Sequence, residues 1–366
     1  MFRGPATCRP PTTCADLIIA REAKDTSVLS MEALVCVEPG SLRLEQRPHP
    51  RSHPGHALVR PRRVGVCGTD YHIFEGKHPY LQYPRIMGHE LAVEIVGAPA
   101  DSGLATGEVF AVNPYISCGR CIACRKGKPN CCVRVSVLGV HQDGGFAELL
   151  SVPLGNLVRA PDLTLDQSAM VEFLAIGAHA VRRGTVTKDD RVLVVGAGPI
   201  GLGVSIFARL SGASVAVLDR DASRATAARN FADVTPVAGD EDFQKQFDAF
   251  TDGEGFDVVF DATGNSSAME KGFEYAANGG RYVLVSVVRE PITFMDPDFH
   301  RKELTLLGSR NATSEDFDRV IAAIRDGTTP IDKLITHRTD LQGAARDIPR
   351  WATDKAGLIK AIVEID

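Results

Sequence analysis

Residues 191–201 are Arg-Val-Leu-Val-Val-Gly-Ala-Gly-Pro-Ile-Gly, an apolar run that leads directly into a glycine-rich turn. Helical periodicity follows over residues 202–210, so the segment has the form strand, turn, helix. In such a unit Gly196 permits the tight turn, Gly198 lets a pyrophosphate approach the backbone, and Gly201 allows the helix to pack closely on the strand. Because the helix N-terminus then faces the phosphates, the pattern predicts a dinucleotide-binding parallel sheet.

An acidic residue that would complete this site, Asp219, ends the next predicted strand, 23 residues after Gly196. A carboxylate there accepts hydrogen bonds from both ribose hydroxyls and repels a 2′-phosphate, which favours NAD over NADP. Arg220 would soften that repulsion. Arg224 has two interpretations, a cover for the adenine or a charge on a solvated helix face. The predicted cofactor-binding residues are Gly196, Gly198, Pro199, Ile200, Gly201, Asp219 and Arg224.

The chain divides into parts with different patterns. Over residues 31–160 short β-like runs are broken by Gly and Pro, which predicts an antiparallel barrel. Over residues 161–300 near-continuous apolar strands alternate with helices, which predicts a doubly wound parallel sheet covered on both faces. Residues 301–366 end in an apolar run and are expected to return to the first domain. The predicted fold class is therefore α/β, with a β-barrel domain and a parallel-sheet domain.

Residues 1–30 differ from the rest of the chain. They have no sustained period, whereas a strand-like run begins just after Met31. We expect an extension outside the native fold, with translation starting at Met31. A targeting peptide is the alternative, because Arg3, Arg9 and Arg21 are basic, although the acidic residues among them argue against it.

The composition is that of an ordinary globular protein with two domains, since 44% of the 366 residues are hydrophobic and 24% are charged. No apolar stretch approaches the roughly 20 residues that span a bilayer, so we expect no membrane insertion. A net charge of −5 provides no basic field for nucleic acid. The nine cysteines are an odd number and no signal peptide is evident, so the expected compartment is a reducing cytoplasm.

A cysteine-rich loop provides the first candidate metal site. Cys118, Cys121, Cys124 and Cys132 lie at intervals of three, three and eight residues. Four thiolates at this spacing can surround one Zn²⁺ tetrahedrally without a position for water, so we predict a structural zinc site. Two alternatives stay open, Cys131 as the fourth ligand and a pair of disulfides.

A second candidate metal site combines different ligand types. Cys67, His89 and Glu90 supply a thiolate, an imidazole and a carboxylate, in segments that contain glycine. Three mixed ligands leave a fourth tetrahedral position, which is typical of a catalytic zinc that binds a substrate oxygen. Glu172, at the start of a helix that links the two domains, is either a further ligand or the holder of a zinc-bound water, and the sequence does not decide between them.

Together these motifs resemble those of the zinc-containing medium-chain dehydrogenases, over residues 31–366. The resemblance implies a GroES-like catalytic domain followed by a Rossmann domain, with the active site in the cleft between them. It implies that the three mixed ligands bind catalytic zinc, that Thr69 contacts the reacting hydroxyl and that His72 passes its proton to solvent. Asp70 either orients His89 or caps a helix. The expected catalytic residues are Thr69, His72 and Glu172.

Within the family, the Glu after the metal-binding His, together with Glu172, is similar to the polyol and threonine dehydrogenase branches. Segments 136–146, 179–184 and 308–313 resemble those of sugar-acid dehydrogenases, whereas Phe173 departs from the Pro that many relatives have. The resemblance implies NAD-dependent oxidation of a secondary alcohol of a sugar acid or polyol, with an L-galactonate-like hexonate favoured. It also implies one catalytic and one structural zinc per chain.

A hexonate needs a cation for its carboxylate and hydrogen-bonding groups for its hydroxyls. Arg310 is the candidate cation, and the alternative is that it pairs with Glu315 or Asp316. The predicted substrate residues are Arg310, His141, Gln142 and His300.

Two other functions stay open at this stage. One is oxidation of an amino alcohol, as in L-threonine 3-dehydrogenases, and the other is a non-catalytic relative that binds zinc or a nucleotide. The expected partner is a small polar substrate, and the family implies a homodimer or homotetramer.

Overall fold

The computed structural model describes residues 29–366 except residues 52, 79–80 and 240–241. Residues 1–28 of the expected N-terminal extension lie outside the described residues. Across the described ranges, no helix has both the length and the apolar character needed to cross a bilayer.

The first part of the chain forms short strands with two short helices. Three single 3₁₀ turns, Ala100–Ser102, Pro129–Cys131 and Leu154–Asn156, connect some of them. In chain order the elements are β1 (Ser30–Glu38), β2 (Ser41–Pro48), β3 (His56–Val66), α1 (Gly68–Phe74), β4 (Arg85–Ile86), β5 (Glu90–Gly97), β6 (Val109–Val112), β7 (Tyr115–Ile116), α2 (Ile122–Arg125), β8 (Ser136–Val137), β9 (Leu150–Pro153) and β10 (Leu157–Arg159).

Two helices, α3 (Leu165–Ala169) and α4 (Val171–Arg183), lead into a second sheet of six parallel strands. Its strands are apolar because helices cover both faces. The elements that follow are β11 (Arg191–Val195), α5 (Pro199–Leu210), β12 (Ser214–Asp219), α6 (Ala222–Ala227), the 3₁₀ turn Ala228–Asn230, β13 (Thr235–Ala238), α7 (Phe243–Thr251), β14 (Phe256–Asp261), α8 (Ser266–Tyr275), β15 (Ala276–Leu284), α9 (Asp296–Arg301) and β16 (Thr305–Gly308).

The strand order β13-β12-β11-β14-β15-β16 is that of a Rossmann fold, with the first strand at the centre and the order reversing beside it. The predicted doubly wound parallel sheet is confirmed. One element differs from the prediction, because β16 was assigned to the returning segment but pairs in register with β15 as the sixth parallel strand.

The chain returns to its first domain later than expected, through β17 and β18. The last elements are α10 (Ser314–Arg325), α11 (Ile331–Leu334), β17 (Ile335–Asp340), α12 (Leu341–Thr353) and β18 (Lys360–Glu364). Strand β18 pairs antiparallel with β3 and parallel with β17 in a sheet of order β10-β6-β5-β3-β18-β17, in which β9 also pairs with β3. This sheet is antiparallel apart from its last pair.

Helix α4 connects the two sheets and so positions the site between them. Its apolar face packs with α5 and α10 against one face of the parallel sheet, while α7, α8 and α9 cover the opposite face. The approach to α5 is close enough that a Cβ on Gly177 would overlap the backbone of Gly203. Glu172, in the first turn of α4, is therefore held at the junction of the two domains.

Candidate active site

The glycine-rich turn after β11 has the geometry that its sequence predicts. Gly196 has a φ of +100°, which only glycine adopts readily, and a Cβ on Gly201 would overlap the carbonyl oxygen of Gly196. Gly198 precedes the first turn of α5, in which Pro199 is the first residue and Ile200 the second. The backbone of this helix N-terminus is therefore accessible to a pyrophosphate.

Asp219 lies beside this turn at the end of β12. Its carboxylate accepts hydrogen bonds from the backbone nitrogens of Ala197 at 2.8 Å and Asp221 at 2.9 Å. Both oxygens are thus oriented by the backbone at the place where an adenosine ribose would lie. Arg224, half-exposed on α6, lies 3.9 Å from the Asp221 carboxylate, which fits the interpretation as a solvated charge.

Cys67, His89 and Glu90 come together, with one ligand atom from each lying within 4.8 Å of the others. Cys67 immediately precedes α1, and Glu90 is the first residue of β5. The carboxylate of Glu90 has room because the residue opposite it on β3 is Gly65, whose Cβ would overlap the carboxylate. Cys67 thus forms one mixed-ligand group with the adjacent His89 and Glu90, more than 20 residues later in the sequence.

Asp70 joins the two segments that carry these ligands. Its carboxylate accepts hydrogen bonds from the backbone nitrogens of Cys67 at 2.8 Å and Gly88 at 3.2 Å. The Nδ1 atom of His89 lies 3.8 Å from the same carboxylate, too far for a hydrogen bond but close for an ion pair. Asp70 therefore caps the helix, and it faces the imidazole without a hydrogen bond to it, so the role of orienting His89 stays a prediction.

The charges around this group are suited to a bound cation. Burial by itself lowers the pKa of His89, but the Asp70 carboxylate and the Cys67 thiolate together hold it well above its usual value. His89 Nδ1 is buried without a hydrogen-bond partner. An excess of buried negative charge, with a thiolate and an imidazole among the donors, fits Zn²⁺.

Sequence reasoning missed Lys360, which lies on β18 beside this group. Its ammonium donates to both oxygens of Glu90, at 2.6 and 2.8 Å, and lies 4.3 Å from the centre of the Phe173 ring. Burial lowers the pKa of Lys360, but the Glu90 carboxylate raises it more, so the amine stays charged. The signal in the sequence was a lysine inside the apolar run 358–363.

Glu172 lies near these residues but outside the three-ligand group. It is buried, and Tyr115 donates a hydrogen bond to its Oε1 atom. Burial raises the pKa of Glu172 to about 7. These contacts suit a group that holds water and exchanges a proton better than a fourth metal ligand. Tyr115 was not anticipated, and its short strand gives no sequence signal for the role.

Thr69 and His72 extend from the Cys67 thiolate towards solvent. The Thr69 hydroxyl lies 3.9 Å from the Cys67 sulfur, and His72 follows in the last turn of the same helix with an exposed ring. Partial burial lowers the pKa of His72, and the nearby Lys355 and Lys77 lower it further. His72 is therefore neutral near pH 7 and able to accept a proton.

The four cysteines of the second candidate site also cluster, with their sulfurs within 4.8 Å of one another. Cys132 is buried in this cluster, whereas Cys131 is exposed, so the fourth member is Cys132. Among the described cysteines all are free, and the disulfide alternative is wrong. Backbone amides of Cys124 and Val133 lower the pKa of Cys121 to about 6, which favours the thiolate that a metal requires.

The structure brings Arg310 near His141 but not near its proposed alternative partners. Burial lowers the pKa of His141, and the Arg310 and Arg85 guanidiniums lower it further. Glu315 and Asp316 pair with Arg182 instead, and in the described part of the chain Arg310 makes no ion pair. Gln142 donates to the Ser136 hydroxyl at 2.9 Å in the same segment as His141.

His300 was predicted to line this pocket and does not. It lies on α9, where the neighbouring Phe299 packs against Phe273 and Phe294. This cluster covers the face of the parallel sheet opposite to α4, which carries Glu172. The apolar neighbours of His300, rather than its own chemistry, determined where its helix packs.

Comparisons with known proteins agree with this geometry. The model of the alcohol dehydrogenase GroES-like domain matches residues 53–162, and that of the zinc-binding dehydrogenase matches residues 199–326. The chain is 40% identical to L-galactonate-5-dehydrogenase of Escherichia coli (strain K12), covering 91% of this chain and 99% of that one. It is 32% identical to an L-threonine 3-dehydrogenase of Bacillus licheniformis, covering 83% and 90% of the two chains. A structure of an alcohol dehydrogenase of Escherichia coli CFT073 with NADH superposes with a TM-score of 0.84 at 31% identity, covering 92% and 99%.

Proposed function

Because the chain belongs to the zinc-containing medium-chain dehydrogenases, we propose that it oxidises a secondary alcohol of a sugar acid to the ketone with NAD. The preferred substrate in this proposal is an L-galactonate-like hexonate. The observation that carries the choice of a sugar acid is the exposed guanidinium of Arg310, which makes no ion pair with any described residue and whose charge lowers the pKa of His141. A planar guanidinium without a protein partner is suited to bind a carboxylate through two hydrogen bonds.

In this proposal Cys67, His89 and Glu90 hold the catalytic zinc. Bound zinc would lower the pKa of a substrate hydroxyl. The Thr69 hydroxyl would accept a hydrogen bond from that hydroxyl and, on taking its proton, release its own towards the neutral imidazole of His72, which passes a proton to solvent. Bound NAD would accept the hydride from the same carbon, so the alcohol loses two electrons and two hydrogens in all.

Glu172 and the cofactor site complete the proposed mechanism. With a pKa of about 7, Glu172 can hold or release a proton at neutral pH, while Tyr115 orients its carboxylate. NAD is favoured over NADP because both oxygens of Asp219 are oriented by backbone amides, and a 2′-phosphate would meet this charge. Two zinc ions per chain and NAD are the cofactors of this reaction.

Oxidation of L-threonine is the second candidate, supported by the similarity to an L-threonine 3-dehydrogenase. Threonine also has a carboxylate, but it has an ammonium as well. Arg85 is paired with Asp143 at 2.9 Å, whereas Arg310 makes no ion pair with any described residue, so one cation is available for a carboxylate. No described contact near Arg310 has been assigned to the ammonium of threonine, which favours the sugar acid in this proposal.

A screen of NAD reduction tests the proposal, with aldonates, alditols and L-threonine as substrates. We expect the highest kcat/KM on a hexonate. Replacing Arg310 with Met should lower kcat/KM on the hexonate at least about tenfold and that on the matching neutral hexitol by less than about twofold. Arg325→Met, at an exposed arginine of α10, is the control. Equal losses on both substrates would remove the carboxylate role, and turnover of L-threonine alone would favour the second candidate.

We also propose that the chain forms a homodimer through the free edge of β16. Among the described strands β16 pairs with β15 alone, and its Leu306 is 40% exposed. Val287, which follows β15, and Met295, which precedes α9, are 89% and 69% exposed. An uncovered edge strand beside such residues is suited to pair with a second copy of itself. Light scattering of Leu306→Lys against the unmodified protein tests this, and an unchanged mass would contradict it. We also propose a reducing cytoplasm as the compartment, because the cysteines in the described part of the chain are free.

A further inference from the structure

The loop between β16 and α10, residues 309–313, carries Arg310 and is hydrogen-bonded to the cysteine-rich loop of the other domain. The side-chain nitrogen of Asn130 donates to the backbone oxygen of Arg310 at 2.9 Å. In return, the side-chain nitrogen of Asn311 donates to the backbone oxygen of Asn130 at 3.1 Å. Two reciprocal amide contacts, between residues that are about 180 positions apart, thus hold the chain at Arg310 and Asn311.

Asn130 is itself held firmly. It is 5% exposed, and it lies in the 3₁₀ turn Pro129–Cys131, immediately before the buried Cys132. Its side-chain nitrogen also contacts Nε2 of His179 at 3.2 Å. The opposite ring nitrogen of His179 lies 2.8 Å from the Asp316 carboxylate. Asn130, in the cysteine-rich loop, therefore contacts His179 of helix α4, and through His179 it is linked to Asp316 at the start of α10.

The loop needs this support because its backbone is unusual. Asn311 has a φ of +53°, a left-handed conformation that few residues other than glycine adopt. On its far side the loop ends in a capping box, in which Thr313 and Asp316 bond each other's backbone, and Arg182 binds the same carboxylate at 2.7 and 2.9 Å. The loop is fixed at both ends, while the Arg310 guanidinium makes no ion pair with any of the residues that the structure describes.

We propose that Asn130 is a positioning residue for the substrate carboxylate, acting through the backbone of Arg310. This inference rests on the proposed function of Arg310. A guanidinium on a fixed backbone loses less conformational freedom when it binds a carboxylate than one on a mobile loop. Asn130 thus determines how well the enzyme distinguishes sugar acids from neutral polyols, although its side-chain nitrogen is used for the Arg310 carbonyl and His179.

Two variants test the proposal in the zinc-loaded enzyme with NAD. Asn130→Ala removes both contacts of the side-chain nitrogen. Asn311→Gly removes the reciprocal contact, and its φ of +53° suits glycine, so the fold should tolerate it. The matched control is Asn230→Ala, at an exposed asparagine that also lies in a 3₁₀ turn. Steady-state kinetics use a hexonate and the neutral hexitol of the same configuration.

We expect each variant to raise KM for the hexonate about tenfold, the loss of roughly one hydrogen bond, with KM and kcat for the hexitol within about twofold of the unmodified enzyme. In the background of Arg310→Met, Asn130→Ala should have no further effect on the hexonate KM, because it acts only through Arg310. Exchange of backbone amide hydrogens in residues 309–313 should be faster in both variants, and zinc content should be unchanged in Asn311→Gly.

The outcomes separate this inference from the proposed function. If Arg310→Met affects hexonate and hexitol equally, the carboxylate role of Arg310 itself is wrong. If Arg310→Met discriminates between them but Asn311→Gly and Asn130→Ala do not, the positioning role is overturned. Equal losses on both substrates in the two Asn variants, or additive effects with Arg310→Met, would show general destabilisation and would also overturn it.

Discussion

Replacing Lys360 with methionine should destabilise the first domain by about 3–5 kcal/mol. The ammonium and the Glu90 carboxylate, 2.6 Å apart at their closest, are buried together, with side chains 2% and 1% exposed. Methionine keeps most of the apolar stem, so the change removes the charge without opening a large cavity. In the zinc-free protein, in which no metal ion compensates Glu90, the carboxylate would then be buried without its partner, and breaking such a pair costs roughly 3–5 kcal/mol, against about 0–1 kcal/mol for a surface pair.

Trp351 provides the assay, because it is the single tryptophan of the chain and is buried in the core of the same domain. Its fluorescence during urea denaturation gives the free energy of unfolding for that domain. Lys333→Met, at an exposed lysine of α11, is the control and should change the free energy by no more than about 0.5 kcal/mol.

A double-mutant cycle identifies the cause. In a Glu90→Gln background the carboxylate charge is absent, so the cost of Lys360→Met should fall by about 2 kcal/mol or more. A cost below about 1 kcal/mol in the unmodified background, or the same cost in both backgrounds, would refute the argument that Lys360 stabilises the domain through the Glu90 charge.

Three further predictions address other parts of the molecule. Burial raises the pKa of Asp261 to about 6, so its native state keeps a proton that the unfolded state loses near pH 4. The stability from that proton, about 3 kcal/mol, should be lost as pH rises from about 4 to 6, and urea unfolding across that range measures it. The loss should be absent in Asp261→Asn, and an equal dependence of the unfolding free energy on pH in both proteins would contradict the prediction. Tyr115→Phe removes a hydrogen bond that lowers the pKa of Glu172, so the limb of the kcat/KM pH profile near pH 7 should move to higher pH. An unshifted profile would show that this hydrogen bond does not set the position of that limb. The new methyl group of Gly201→Ala would overlap the glycine-rich turn, so this variant should have lower NAD affinity and a lower melting temperature. In Gly203→Ala, in the same helix, the nearest atom to the methyl group is 3.7 Å away, so this variant should be tolerated. Equal effects of the two variants would show that the structure relieves the overlap.

The parts of the fold that follow from the sequence are those with local signals. The turn at residues 196–201 combines a strand, three glycines and a helix within a short segment, so the parallel sheet and its cofactor site could be predicted together. Strand β16 was assigned to the wrong domain, because an apolar run of four residues does not specify which sheet edge it joins.

The same distinction applies to the candidate site. Cys67, His89 and Glu90 could be selected because their side chains are metal ligands in glycine-containing segments. Lys360 and Tyr115 could not, since each is defined by a partner distant in the chain, 270 and 57 residues away respectively. Such pairings depend on how strands register across the sheet, which the local pattern does not contain.

The position of β18 has a consequence for synthesis on the ribosome. Strand β18 follows the whole Rossmann domain in sequence, yet it lies between β3 and β17 in the sheet of the first domain. The Rossmann domain can therefore be synthesised completely while the nascent catalytic domain still lacks a strand. Glu90 meets Lys360, 270 residues later, only after the second domain has been made.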